Sequence, residues 1–187
     1  MVFWLTNFYN ASAESHAGSY LSAIHAEKKF DFVSASQFYS NGLRIEPTNQ
    51  KLLLGAIRSN ISSGKFDKAK LYSKNLVKIG SDTPISSLMI LADEIKNENF
   101  EKAKSLLEKP DQFNFFLKAI LTGWVEIGSG NIEKGLDYFE NSENAKRLGY
   151  ISQNHLGLAL ALVGNFEKAD FILSNTSNGA SIDRRDM

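Results

Sequence analysis

The chain has 187 residues, and its 21 basic and 21 acidic side chains give a formal net charge of zero. This balance argues against a nucleic-acid binder, which needs a basic surface, and the absence of cysteine excludes disulfides and thiolate metal sites. The apolar share of 43% is that of an ordinary folded protein, and the length suits one domain or two.

Residues 1–15 form an N-terminal segment that has two interpretations. Residues 1–9 are mostly apolar and aromatic, and Ala11-Ser12-Ala13 has the small-x-small form of a signal-peptidase site. The first interpretation is the remnant of an export signal, which would make the protein periplasmic or exported. The second is a short segment that packs on the first helix of a cytoplasmic protein, because the basic start of a signal peptide is missing. No stretch reaches the roughly 18 to 20 apolar residues of a membrane span.

From residue 16 onward, small and apolar residues recur at helical spacing and predict pairs of helices. Pro47, Gly80 and Pro110 are expected to end the second helix of the first three pairs. Residues 176–187 are predicted to be a polar tail or the start of a further helix. The predicted pairs cover residues 16–47, 50–80, 83–110, 113–142 and 145–175.

A short motif at the turn of each pair recurs at nearly constant spacing. Residues 164–169 read Gly-Asn-Phe-Glu-Lys-Ala, residues 130–135 read Gly-Asn-Ile-Glu-Lys-Gly, and looser copies lie at residues 29–35, 64–69 and 98–103. The apolar residue of the motif falls at positions 32, 66, 100, 132 and 166. A period of about 34 is typical of helix-turn-helix repeats, whose two-helix units bury a core only by stacking on their neighbours.

The motif ends in a small residue, which we expect where the second helix of a pair crosses a first helix. A larger side chain there would push the helices apart, at a cost of about 1 to 3 kcal/mol. These small residues are Ala35, Ala69, Ala103, Gly135 and Ala169.

On these residues, the chain resembles the tetratricopeptide repeat (TPR) family over residues 16–175. Gly123 and Gly157, which stand one such period apart, add to the resemblance, whereas Ile57 and Leu91 depart from the small residue that the family has there. The resemblance implies an all-α fold, a right-handed α-solenoid of about five TPR repeats. The arrangement after Ala13 is also similar to exported bacterial TPR proteins of unassigned role.

The resemblance further implies a non-catalytic protein-protein interaction module. In TPR proteins the first helix of each repeat lines a concave groove that binds a peptide or a partner helix, and here this groove is expected to be apolar. Trp124 has two interpretations, core packing between repeats or an exposed binding anchor. The predicted groove residues are Tyr20, Ile24, Leu54, Arg58, Leu88, Ile120, Trp124 and Asn154, with Glu27 and Ala92 beside them.

The alternative function is a self-associating structural segment of a longer TPR solenoid, which would make the protein a homo-oligomer. An enzyme is not expected, because the sequence has no nucleophile elbow and no phosphate-binding glycine loop. His16, His25 and His155 are too scattered to predict a metal site, so no cofactor is expected.

Overall fold

The computed structural model describes residues 16–110 and 112–182, with the backbone alone at residues 16, 144 and 176–182. All regular structure in these residues is helical, which confirms the all-α prediction. The N-terminal segment and its Ala11-Ser12-Ala13 motif lie outside the described residues. The described helices are α1 (His16–Lys28), α2 (Phe32–Ile45), α3 (Gln50–Ser62), α4 (Phe66–Lys78), α5 (Pro84–Lys96), α6 (Phe100–Glu108), α7 (Phe115–Gly128), α8 (Ile132–Glu140), α9 (Glu143–Leu148), α10 (Tyr150–Leu162) and α11 (Phe166–Ile182).

The same turn closes the first helix of all five pairs. One residue of each turn has a positive φ, and the next backbone N–H returns to a carbonyl five positions earlier, as from Asn131 to Glu126 at 2.9 Å. Glycine takes the positive φ in three turns, but Phe30 (φ 59°) and Glu98 (φ 58°) take it in the other two, against the preference of side chains with a Cβ. The recurring turn explains the recurring motif: it fixes how each second helix leaves the first.

The described residues divide into two compact units between Ser86 and Ser87, inside α5. In unit 1, α1 contacts α2 and α3, and α3 contacts α2 and α4. Its core has the Tyr39 ring near the centre, 1% exposed, surrounded by alanine, leucine and isoleucine side chains. Gly55 of α3 lies directly against this ring, because a Cβ there would overlap the ring atoms.

Unit 2 has two clusters of buried apolar side chains. One joins α5, α6 and α7 through Leu91, Leu107 and Val125. The other joins α7, α8, α10 and α11 around Phe139, which is fully buried. Gly123 of α7 lies against the Phe139 ring, since a Cβ added there would come within 2.5 Å of it.

The five small residues of the repeated motif are all buried, as the sequence predicted. Gly135 shows why size matters: an added Cβ would lie 2.8 Å from the carbonyl oxygen of Gly123. The second helix of this pair therefore packs against the backbone of the first.

The structure differs from the sequence prediction in the fifth pair. The sequence predicted one pair of helices over residues 145–175, but Gly149 adopts φ 56° and divides the first helix of the pair into α9 and α10. The positive φ cannot continue a right-handed helix. At the other end, α11 continues to Ile182, so residues 176–182 belong to this helix and not to a tail. None of the described helices is long and apolar enough to cross a membrane.

The contact of Gly55 with Tyr39 can be tested by substitution in unit 1. We expect Gly55→Ala to lower the free energy of unfolding by about 1 to 3 kcal/mol, because the ring is enclosed and must shift. Lys51→Ala, at an exposed position of the same helix, is the control and should change the free energy of unfolding by less than about 0.5 kcal/mol. Urea unfolding followed by circular dichroism measures both; equal effects would contradict the packing argument.

Candidate binding surface

In unit 1, the predicted groove residues Tyr20 and Ile24 lie on α1, and Leu54 and Arg58 lie on α3, which contacts α1. Tyr20 and Leu54 are half-buried and pack on the core of the unit. The Tyr20 ring meets Tyr39 edge-on at a centroid distance of 6.3 Å. Arg58 is exposed. These residues thus form a surface that is partly core and partly accessible.

Glu27, at the edge of this surface, links three helices by hydrogen bonds. The Tyr39 hydroxyl of α2 donates to Oε2 at 3.0 Å, and the Ser59 hydroxyl of α3 donates to Oε1 at 3.1 Å. Burial and the hydrogen bond to the Glu27 carboxylate raise the pKa of Tyr39, so the phenol stays protonated and keeps its donor role. Glu27 therefore holds the first helices of two neighbouring pairs together.

In unit 2, Trp124 of α7 and Asn154 of α10 lie on contacting helices, with Ile120 one turn before Trp124. Leu88 and Ala92 lie on the exposed side of α5. Ile120, Trp124 and Asn154 are half-buried. The predicted residues of α7 and α10 therefore lie, partly accessible, on two helices that contact each other.

Trp124 is held in place by two rings and one hydrogen bond. Its Nε1–H donates to Nδ1 of His155 at 3.0 Å. The Phe139 ring lies 5.7 Å from the Trp124 ring, and the His155 ring stacks on Phe139 at 5.7 Å with an interplanar angle of 23°. Because only a nitrogen without a proton accepts a hydrogen bond, His155 is neutral here, with its proton on Nε2. Burial lowers the pKa of His155, which favours the same neutral form.

His155 was missed by the sequence analysis, which considered it only as a metal ligand. The signal that could have found it is its separation from Trp124, 31 positions along the chain, which falls about one helical turn short of the repeat period. This spacing places the two side chains on neighbouring first helices, one helical turn apart in register. Among the described residues, no group of three histidine or acidic side chains could hold a metal ion.

Two residues after Trp124, a buried carboxylate fixes α7 to its neighbours. The Glu126 side chain is 6% exposed and accepts hydrogen bonds from Lys134 Nζ at 2.6 Å and Asn131 Nδ2 at 2.8 Å. Lys104 Nζ of α6 lies 3.3 Å from Oε2 of Glu126, the oxygen that also accepts from Asn131. Burial acts to raise the pKa of Glu126, but the three donors outweigh it and lower the pKa to about 2. The ionised carboxylate therefore joins α6, α7 and the start of α8.

This network predicts a stability difference that depends on pH. We expect Glu126→Gln to lower the free energy of unfolding near neutral pH by about 1 to 3 kcal/mol, the usual cost of breaking buried charged hydrogen bonds. Because the folded pKa lies below the ordinary value of 4.5, the wild-type advantage is complete above about pH 4.5 and disappears as the pH falls towards 2. Urea unfolding at pH 7 and pH 3 measures it. Glu133→Gln, at an exposed position of α8, is the control, and a loss independent of pH would contradict the assignment.

Comparison with known proteins identifies the fold. No protein-family model matches the chain, and no curated protein matches it significantly. The structure of MamA matches with a TM-score of 0.69 at 16% sequence identity, over 92% of this chain and 96% of that one. YrrB, described as a TPR protein with an unusual peptide-binding site, matches with a TM-score of 0.65 at 16% identity, over 89% of this chain and 87% of that one. The chain has the TPR fold.

A third structure agrees with this result. The TPR-like repeats of a putative kinesin light chain from Podospora anserina match with a TM-score of 0.66 at 14% identity, over 92% of this chain and 97% of that one. In the predicted repeats, α1, α3, α5, α7 and α10 would be the first helices, and the short α9 lies between α8 and α10. The right-handed course and the number of repeats in a continuous solenoid stay predictions.

Proposed function

We propose that the protein is a non-catalytic interaction module that binds an apolar peptide segment or a partner helix. The contact surface that we assign to it is formed by α7 and α10 in unit 2, with Trp124 as its anchor. The observation on which this proposal rests is the half-buried indole of Trp124, whose N–H is already hydrogen-bonded to His155.

The state of the indole determines which chemistry suits the surface. Because the N–H is already paired, the accessible part of the ring offers apolar contact and needs no polar partner from a ligand. Phe139 and His155 hold the ring in one orientation, so binding would cost little further side-chain entropy. Tryptophans in such rigid settings are enriched among residues that dominate binding energy.

The neighbouring residues extend an apolar contact and add one polar group. Ile120 is half-buried one turn before Trp124, and Asn154 supplies an amide that can pair with a peptide backbone. His155 is neutral and so adds no charge to the surface around the anchor. YrrB, which has the same fold, is described as having a peptide-binding site, and this supports the proposal by analogy alone.

Unit 1 offers a second surface of the same kind. Tyr20, Ile24 and Leu54 present half-buried apolar side chains there, and Arg58 adds an exposed positive charge. We include this surface, and Leu88 on α5, in the proposal as further contact positions.

Peptide selection against the full chain tests the anchor. We expect random peptides displayed on phage to yield apolar binders, and Trp124→Ala to weaken them by at least about tenfold, the effect of losing a residue that dominates binding. Asn154→Ala should weaken the same peptides less. Isothermal calorimetry measures the affinities, and circular dichroism verifies that each variant is folded.

Phe171→Ala is the matched control, because Phe171 is an aromatic residue that is 68% exposed and lies on α11, which is not part of the assigned contact surface of α7 and α10. It should leave the affinity within about twofold, as expected for a position outside the contact. Peptides that bind Trp124→Ala and Phe171→Ala equally well would contradict the proposal.

A second candidate function, self-association, is favoured by one comparison within unit 2. Phe100, the first residue of α6, is half-buried against Gly128 of the following pair. Phe166 has the equivalent place in α11 but is 70% exposed. A further helix pair or another copy could cover it. If the protein self-associates, protein immobilised on a support should retain free copies of the same chain from solution. The Trp124→Ala substitution should not reduce this retention.

A further inference from the structure

One face of α1 in unit 1 has the character of a buried helix contact although it is exposed. Leu21 is 67% exposed, His25 is exposed, and a Cβ added at Gly18 would meet nothing within 4 Å. The equivalent residues one repeat period later, Leu52, Gly55 and Ser59, are all buried. In α3 this face is the one that α2 packs against, as the contact of Gly55 with Tyr39 shows.

The chemistry of the exposed face indicates what would cover it. A groove between α1 and α2 is lined by the apolar Leu21, Ala26 and Phe38 and by five polar side chains, among them Lys29 and Asp31. Leu21 and Phe38 are large apolar side chains with accessible surface, 67% and 37% exposed. Covering them would remove apolar area from water, which favours an apolar occupant.

We propose that the N-terminal segment of the chain, through the mostly apolar residues 2–9, which only Thr6 and Asn7 interrupt, docks on this face of α1. The segment has the right composition, since residues 2–5 read Val-Phe-Trp-Leu and Phe8 and Tyr9 follow. Glu14 is its one charged side chain. Of the two sequence interpretations, this is the packing one, and it does not depend on the proposed peptide binding.

The length and attachment of the segment favour it over a second copy of the chain. Residues 10–15 connect residues 2–9 to the start of α1 at His16, which is enough for a reversal of direction. The face of α1 from Gly18 to His25 is about 10 Å long, at the helical rise of about 1.5 Å per residue. Eight residues span about 12 Å even at this rise, so residues 2–9 are long enough to cover the face. A covalent tether of this length corresponds to an effective concentration in the millimolar range, which a second copy in dilute solution does not reach.

The experiment measures the solvent exposure of Trp4 by fluorine NMR in the full chain. Both tryptophans are replaced by 5-fluorotryptophan, and a Trp4→Phe variant assigns the two resonances. A paramagnetic agent in the solvent should broaden the Trp4 resonance clearly less than that of free 5-fluorotryptophanamide, at every protein concentration tested. Leu21→Asp should lower the ratio of docked to undocked segment by about tenfold or more, because the free energy of burying one leucine side chain corresponds to at least a tenfold change in an equilibrium constant.

Leu71→Asp is the matched control, because Leu71 is 55% exposed on α4 of the same unit and lies outside the groove. It should leave the protection of Trp4 unchanged. Broadening of Trp4 equal to that of the free amide would overturn the proposal, and so would protection that Leu21→Asp does not reduce. Protection that appears only at high protein concentration would also overturn it and identify a second copy as the occupant.

Discussion

The architecture depends on the absence of a side chain at a few helix crossings. In unit 2, Gly123 lets the Phe139 ring lie directly on the backbone of α7, and in unit 1 Gly55 does the same for Tyr39. Gly157 likewise leaves room on α10 for the Leu173 side chain. The Tyr39 and Phe139 rings are thereby enclosed, and close packing of this kind gives a core that resists small changes in volume. The helices that cross at these contacts cannot separate or rotate without opening a void around the large side chains.

The candidate binding surface is built on one of these contacts. Phe139 is fixed by Gly123, His155 stacks on Phe139, and Trp124 rests against both rings. A second constraint acts at the other side of α7, where the ionised Glu126 is held by lysines of α6 and α8. The position of the indole is therefore set by the packing of the whole unit. A rigid, partly accessible aromatic side chain is what a binding surface needs to use its apolar area efficiently.

The repeats could be predicted because their signals are local. A turn residue, an apolar residue and a small residue recur within six positions, and each has a physical role in the same turn or crossing. The break at Gly149 was not predicted, because the sequence around it is compatible with one continuous helix and only the positive φ reveals the break. The N-terminal segment and residues 183–187 lie outside the described residues, so the predictions there stay predictions.

The details of the surface depend on contacts between distant residues, which a sequence pattern does not specify. The hydrogen bond from Trp124 to His155 requires two helices at a particular rotation about their axes, which the sequence does not specify. The ion pairs of Glu126 could not be predicted from the sequence, since its partners Lys104 and Lys134 lie 22 positions before it and 8 positions after it. Only the fold brings these groups together, and burial then makes their charges matter.

The most direct measurement of the central claim is an NMR titration of the Trp124 indole N–H in the full, isotope-labelled chain with an affinity-selected peptide. If α7 and α10 form the binding surface, the Trp124 resonance will shift and saturate with the same affinity that calorimetry reports for the peptide. Saturable binding that leaves the Trp124 indole resonance unchanged would contradict the account and place the binding surface elsewhere on the protein.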